Sequence, residues 1–364
     1  MNPLSPEQVA AAAANVFDTL FRGGLADLRR TPASVIEEAP QRKVYRYLRS
    51  DDFVPRALPV LLVPPLAAPT ICFDLRRGCS LAEHLMALGH ETYLVDYGEI
   101  GFSDRELGLE HWIQDVIPGA VRRVAKDTGR PVQVVGWCLG GIMSLLAAAD
   151  DPELPINSVA MVASPFDFRQ IGMMAPLRPI ANINNGVLGT TLYRLMGGAP
   201  APLVKAGYQL AALDKYLTKP LTVLTHLEDR DFLAQVQAVD NFTNNMLAYP
   251  GRTFGQLYHR FFRVNELARG RLKLPHGVVD LDAVRVPVLS VAGDRDYLAP
   301  QAAVHHVGEL LPNAPQVRLE TAPGGHLGVL AGRSAAATTW SYLDDFLSEH
   351  GPTASTATPV HVPA

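Results

Sequence analysis

Gly136-Trp137-Cys138-Leu139-Gly140-Gly141 sets a thiol two positions from glycine on either side. The short apolar run Val132–Val135 precedes it and the helix-forming run Leu139–Ala149 follows. This is the nucleophile-elbow pattern, G-x-S-x-G, with cysteine in place of serine. A nucleophile held on a sharp strand-to-helix turn needs small neighbours two positions away, because adjacent backbone would otherwise clash with their side chains. The same turn puts the sulfur at a helix N-terminus, where the dipole stabilises negative charge. A buried structural cysteine in a glycine-rich turn would explain the residue types. It would not explain the strand before and the helix behind.

A nucleophile on such an elbow takes its acid from a loop after a later strand and its histidine from a loop after the last one. The apolar run Val286–Ala292 leads into Gly293-Asp294-Arg295-Asp296-Tyr297-Leu298-Ala299-Pro300, and the final strand leads into Pro323-Gly324-Gly325-His326. Of the 11 histidines, His326 is the one on a glycine-rich loop after the last strand, which makes it the expected base. Asp296 is preferred as the acid, since the loop must leave the strand before a side chain can turn toward the histidine. Asp294 is then expected to cap or solvate the loop, and Asp167 is a third candidate. For the oxyanion hole, the elbow supplies the Leu139 N–H and the loop Val63-Pro64-Pro65-Leu66-Ala67 supplies a second donor. Proline has no N–H, so Leu66 is expected, with Ala67 next.

The elements that must position these groups alternate. Strands are expected at Val44–Leu48, Pro59–Val63, Thr92–Asp96, Val132–Val135 and Asn157–Ala163. Helices are expected at Ser80–Leu88, Leu109–Lys126 and Leu139–Ala149. Such a rhythm means a mostly parallel central sheet flanked by helices, and the elbow within it makes the α/β-hydrolase type of fold the expectation. It lapses after Ser164, where no clear strand run appears, and resumes with Val286–Ala292, a helix near Gln301–Leu311, Gln316–Leu319 and a last helix near Ser334–Ser348. The expected organisation is an N-terminal helical segment at 1–39, a first part of the core at 40–164 and a helical cap insertion at 165–283. The second part of the core follows at 284–350, with a disordered tail at 351–364. The opening helix carries Ser5 as a cap, Pro6 at its first position and Gln8 for a capping box. Its apolar stripe, Val9, Ala13, Val16, Phe17 and Leu20, is expected to pack on the domain. The competing reading is a contact with a partner subunit or an apolar particle.

The bulk numbers permit this chemistry. The chain has 364 residues, 48% hydrophobic and 19% charged, as suits a packed enzyme rather than a disordered chain. A formal charge of −4 and no basic run give no reason to expect nucleic acid, and no ligand spacing suggests a metal. Cys72, Cys79 and Cys138 are an odd, sparse set, and neither a secretory leader nor 18 consecutive apolar residues is found. A reducing cytoplasm with free thiols is the expected setting, without a transmembrane span.

In combination these motifs resemble the polyhydroxyalkanoate synthases, most closely the short class III catalytic subunits, whose nucleophile box is G-x-C-x-G-G. The likeness also covers Val63-Pro64-Pro65, Ser80-Leu81, Leu88-Gly89-His90, Tyr93-Leu94-Val95-Asp96-Tyr97-Gly98 and Asp104-Arg105. In the cap it covers Asn265-Glu266-Leu267 with Gly270, and Val279-Asp280-Leu281. It spans roughly residues 40 to 345. The resemblance implies Cys138 as the acylated nucleophile, His326 as base and Asp296 as its partner. It implies (R)-3-hydroxyacyl-CoA as substrate, with no other cofactor, and a second synthase subunit or a polyester granule surface as partner. A homo-oligomer is expected. Three positions depart from the family: Tyr297 stands where histidine usually follows the acid, Phe242 where class III subunits carry tryptophan, and bulky Trp137 precedes the nucleophile. For CoA contacts, Lys205, Lys215 and Arg271 are basic candidates that nothing selects among. Two other functions use the same chain: a cysteine hydrolase on esters, lactones or thioesters, and a non-catalytic paralogue that binds a granule or partner.

Overall fold

A computed structural model describes residues 5–48, 53–176, 179, 191, 197–211 and 213–351. Side chains at 174 and 211–216, and the tail from 352 onward, lie outside the description. Eight strands form one sheet: β1 (Ala33–Ala39), β2 (Arg42–Tyr47), β3 (Val60–Val63), β4 (Thr92–Asp96), β5 (Val132–Trp137), β6 (Ile156–Val162), β7 (Val288–Gly293) and β8 (Val317–Ala322). Their spatial order is β1-β2-β4-β3-β5-β6-β7-β8. From β4 to β8 all pairings are parallel, while β1 and β2 join antiparallel at one edge. Strands β3, β5 and β7 are buried along their whole length, the burial expected of strands with helices on both faces. The fold is the mostly parallel α/β sheet expected from the sequence.

The sheet begins earlier than the sequence suggests. Ala33–Ala39, expected inside a helical N-terminal segment, is an edge strand paired with β2 and bulged between Val35 and Glu37. Its Glu37-Glu38 pair breaks the apolar alternation that marks a half-buried strand, and charge with a bulge is how edge strands avoid pairing with other chains.

Helix α1 (Pro6–Phe21) has the expected capping box between Ser5 and Gln8, but its apolar stripe does not pack on the domain. Val9, Val16, Phe17, Leu20 and Phe21 are 40% to 72% exposed. The helix docks through its polar side instead. Buried Asn15 donates from Nδ2 to the Leu227 carbonyl at 2.9 Å, and Asp18 pairs with Arg230 at 2.7 Å. A buried amide with a partner outcompetes the stripe for the inward position, because an unpaired amide would cost about 1–3 kcal/mol.

Helices α2 (Leu81–Ala87), α3 (Ile117–Thr128) and α4 (Leu139–Asp150) complete the first half of the core, α3 being preceded by a π-helical turn at Trp112–Val116. Between β6 and β7, neighbours in the sheet, the chain leaves for the cap. Its described helices include α5 (Ala201–Ala211), α6 (Leu213–Leu224) and α7 (Arg230–Asn244). On α6, Leu217, Leu221 and Leu224 recur at helical spacing and are 64% to 73% exposed. The insertion is not strandless: Arg271–Leu274 and Gly277–Asp280 form a hairpin, and Gly198–Ala199 pairs with Tyr249–Pro250. These pairs are too short to show as apolar alternation. A last helix, α8 (Thr339–Glu349), packs its Trp340, Leu343, Phe346 and Leu347 into the core.

The elbow rests on three close approaches, two of them to backbone. A Cβ at Gly140 would lie 2.2 Å from the Val63 carbonyl oxygen and 2.6 Å from that of Pro64. A Cβ at Gly136 would lie 2.5 Å from the Gly141 backbone, and one at Gly141 would lie 2.3 Å from Ser164 Oγ. Backbone does not yield as a flexible side chain does. Gly140→Ala is therefore expected to lower stability by about 1–3 kcal/mol, the range for overpacking, and to lower the yield of reactive Cys138. Chemical denaturation alongside thiol titration checks both; an alanine variant as stable as the parent would contradict this packing.

Candidate active site

Cys138 sits at the turn from β5 to α4 with φ 52° and ψ −121°, a left-handed conformation that costs a non-glycine residue of order 1–3 kcal/mol. Two hydrogen bonds hold it there. Its N–H donates to the Val162 carbonyl at 2.8 Å, and Ser164 Oγ donates to its carbonyl at 2.7 Å. Cys138 is a partly exposed residue, unlike the buried Cys72 and Cys79. Burial pushes the Cys72 and Cys79 thiols up, so both stay protonated and inert.

Gly293 and Ala322 are register partners at the ends of β7 and β8, so the loops that follow leave the sheet together. They are clamped to each other. Asp294 N donates to the Ala322 carbonyl at 3.0 Å, Arg295 N to the Gly324 carbonyl at 3.0 Å, and Gly324 N to Asp294 Oδ1 at 2.8 Å. The last of these holds the Asp294 carboxyl below its usual range. Asp294 thus joins the two loops.

Asp296 is 5% exposed and faces inward. Its Oδ1 accepts from the N–H groups of Leu298 and Ala299, both at 2.9 Å, which leaves Oδ2 to accept from His326 Nδ1 at 2.7 Å. With Nδ1 so engaged, Nε2 is the nitrogen available to sulfur. Burial alone would lower the imidazole pKa. The Asp296 charge, the Cys138 charge and side-chain hydrogen bonds to both outweigh it and hold His326 well above its ordinary value. An imidazole in that position is a strong acceptor for a thiol proton. The structure brings Cys138, His326 and Asp296 together, with the imidazole between the sulfur and the carboxylate that orients it. Asp167 stays apart, 2.7 Å from Asn265 Nδ2, where it ties the cap to the loop after β6. Burial acts against its charge, but bonds from Asn265 and Arg169 N keep its carboxyl below the usual range.

Leu139 is the first residue of α4, so its N–H precedes the helical ladder. Leu66 is buried in the turn after β3, and its N–H has no hydrogen-bond partner among the described residues. That turn is pressed onto the elbow by the Gly140 contact and pinned by Tyr97, whose hydroxyl donates to the Pro64 carbonyl at 2.9 Å.

Several neighbours were not legible as site residues. Trp137, fully buried, donates from Nε1 to the His326 carbonyl at 3.1 Å, and its ring lies 5.2 Å from the imidazole. The Phe242 ring packs edge-on against it at 5.8 Å. Two of the departures from the family pattern therefore touch each other, while the third, Tyr297, points outward at 59% exposure. Tyr208 and Tyr249 approach from the cap. Burial first, then the Cys138 charge, pushes both phenols up, so both stay neutral, and the Tyr208 ring lies 6.4 Å from the imidazole of His326. Nothing in the sequence around either tyrosine marks it, because each belongs to the cap and no local spacing ties it to the elbow.

No family model matches the chain. It is 25% identical over 335 residues to poly(3-hydroxyalkanoate) polymerase subunit PhaC from Thiocystis violacea, covering 91% of this chain and 92% of that one. The same-named subunit from Haloferax mediterranei is 24% identical over 332 residues, 91% of this chain and 66% of its own length. The chain is a relative of the poly(3-hydroxyalkanoate) polymerases. The Synechocystis sp. subunit is 26% identical over 302 residues, 82% of this chain and 79% of the relative. The chain thus spans about two thirds of the Haloferax relative and nearly all of the Thiocystis one. Among solved structures, mouse alpha/beta hydrolase domain-containing protein 10 aligns with a TM-score of 0.50 at 15% identity, covering 87% of this chain and 99% of that one. A Nitrososphaera gargenis carboxylesterase structure gives a TM-score of 0.50 at 16% identity, covering 88% and 98%. These two show the α/β-hydrolase fold. No helix among the described residues is long and apolar enough to cross a membrane.

Iodoacetamide at neutral pH is expected to label Cys138 and spare Cys72 and Cys79, with His326→Gln slowing the labelling at least ten-fold; peptide mass mapping reads both. The raised pKa of His326 also carries a pH signature. A group whose folded pKa exceeds its unfolded value stabilises fully below the unfolded value, about 6.5 for histidine, and loses that contribution as pH rises through the folded one. The stability gap between parent and His326→Gln should accordingly be larger at pH 6 than at pH 10 in urea unfolding. A gap that widens with pH would reverse the sign argued here.

Proposed function

We propose that the chain is an acyltransferase that takes (R)-3-hydroxyacyl groups from CoA onto Cys138 and passes them to a hydroxyl chain end, forming polyester or oligoester. What carries this reading is a cysteine, not a serine, in line with His326 and Asp296, in a chain related to polymerase subunits along nine tenths of its length.

The chemistry follows from the thiol. His326 Nε2 takes the Cys138 proton, and the thiolate attacks the thioester carbonyl. The N–H groups of Leu139 and Leu66 receive the developing oxyanion. The C–S bond to CoA breaks and the imidazolium returns its proton to the leaving thiolate. One thioester has replaced another, so the acyl group stays activated. His326 then removes the proton of an incoming 3-hydroxyl as that oxygen attacks the acyl-Cys138 carbonyl. An ester forms and Cys138 is released, its thiolate taking up the proton. Asp296 orients the imidazole and stabilises its charged form throughout. Tyr208 and Tyr249, neutral phenols carried by the cap, offer donors to the acyl oxygens. The cap keeps water from competing with the hydroxyl.

The partner side of the proposal rests on α1 and α6. Their exposed stripes, Val9 to Phe21 and Leu217 to Leu224, are apolar surface with no occupant among the described residues. They are the proposed meeting place for a second synthase subunit or for the polyester itself, with a cytoplasmic, granule-associated setting and homo-oligomers as part of the same reading.

Incubation with (R)-3-hydroxybutyryl-CoA, followed by intact-mass spectrometry, is expected to give a ladder of hydroxyacyl additions on the parent and none on Cys138→Ala. One transient adduct with release of free acid would instead identify a cysteine hydrolase.

A further inference from the structure

The segment that carries the base has little stiffness of its own. Pro323 to Arg333 includes Gly324, Gly325, Gly328 and Gly332, and its helical turn, Gly328–Ala331, is four residues long. Glycine leaves a chain free to sample many conformations, and so short a turn satisfies few of its own carbonyls. Asp296 fixes one ring nitrogen of His326, and the loop clamp at Gly324 secures the chain that enters it. Two helices hold the chain that leaves it. One is α8, where Trp340 Nε1 donates to the Leu330 carbonyl at 2.8 Å. The other is α7 of the cap.

Asp231, Gln235, Ala238 and Phe242 recur at helical spacing, so they share one face of α7. That face meets the base segment in reverse order. Arg333 pairs with Asp229 at 2.9 Å and with Asp231 Oδ2 at 3.0 Å. Gln235 Nε2 donates to the Ala331 carbonyl at 2.8 Å, where Cys79 Sγ is a second, weaker donor at 3.1 Å. Phe242 packs on Trp137, which donates to the carbonyl of His326 itself. The helix is in turn anchored to the core by Arg76, whose side chain is only 10% exposed. Its Nη2 donates to Asp231 Oδ1 at 2.6 Å and its Nε to Gln235 Oε1 at 3.0 Å. Asp231 thus gives one oxygen to the core and the other to the base segment. Gln235 likewise accepts from the one and donates to the other. A guanidinium buried that deeply requires such partners.

We propose that α7 is a splint for the base, with Arg333 and Gln235 as positioning residues that hold the chain leaving His326 so that Nε2 stays within reach of the sulfur. Neither touches a reacting atom; both act through His326 on the Cys138 proton. The inference rests on the Cys138–His326 pair and not on which acyl donor serves it. It makes the cap responsible for the base as well as for keeping water out. A thiol whose cap is undocked has no properly placed acceptor for its proton.

Iodoacetamide labelling of Cys138 in the full chain, followed from about pH 5 to pH 10, tests the splint without an acyl donor. Gln235→Glu keeps the acceptor for Arg76 and loses the donor to Ala331; Arg333→Ala removes the two carboxylate pairs. Each should raise the onset of labelling by about one pH unit and slow it roughly ten-fold at neutral pH. Arg333→Lys should recover part of the loss. Near pH 10, where the thiol ionises unaided, the variants should label like the parent. In a His326→Gln background neither substitution should slow labelling further, because both act through that residue. Asp240→Asn, which removes the pairing of α7 with Lys219 on α6, should leave the profile unchanged. Urea unfolding confirms that each variant is folded, and the Arg333 side chain, 44% exposed, supplies the test if Gln235→Glu does not fold. An unchanged profile in folded Arg333→Ala would overturn the proposal. So would an undiminished effect in the His326→Gln background, or an equal shift from Asp240→Asn. A parent that makes no polyester yet shows these shifts loses the acyltransferase reading and keeps the splint.

Discussion

Everything at the reactive end of the sheet depends on a place where a side chain is missing. Gly140 lets the first turn of α4 lie directly on the carbonyls of Val63 and Pro64, and a single Cβ would close that gap. The contact fixes two things at once. It holds Cys138 in a conformation that a cysteine would not adopt unaided, and it brings the turn carrying Leu66 against the N-terminus of the helix carrying Leu139. The hydrogen bonds from Tyr97 to Pro64 and from Ser164 to Cys138 then lock the two sides of the same junction. Strain at one residue is balanced by closeness among several, a common bargain at reactive sites.

The second half of the centre is built on a different principle. Asp296 and His326 lie on loops that leave paired strand ends, and the loops hold each other through backbone bonds around Asp294 and Gly324. Trp137 joins the halves, because it belongs to the elbow strand and yet donates to the His326 carbonyl. Its bulk beside the nucleophile is thus a support for the base, and Phe242 supplies the ring against which it packs.

What could be read from the chain follows the range of the forces involved. The central parallel strands announced themselves because burial on both faces demands continuous apolar runs; Cys138 and Asp296 were readable because each follows such a run, and His326 because it sits on a glycine-rich loop after the last strand. Edge strand β1 was hidden by Glu37 and Glu38, whose charges suit an edge and mask its period. The orientation of α1 was hidden as well: its stripe looks destined for a core until Asn15 and Asp18 meet Leu227 and Arg230, contacts made across the whole intervening chain. Tyr208 and Tyr249 share that cause, since the cap carries them to the core from far along the chain and local spacing holds no trace of it.

The cap's point of insertion has a consequence for how the molecule is made. Strand β7 pairs directly with β6, yet the chain runs from Val162 to Val288 before that pairing closes. Closing so long an excursion is entropically costly and slow, while the elbow needs only strands and a helix that lie near it in sequence. As the chain emerges, the thiol-bearing turn can be complete while its acid and base are still unmade. Order of synthesis therefore keeps the sulfur unassisted until the chamber around it has been built.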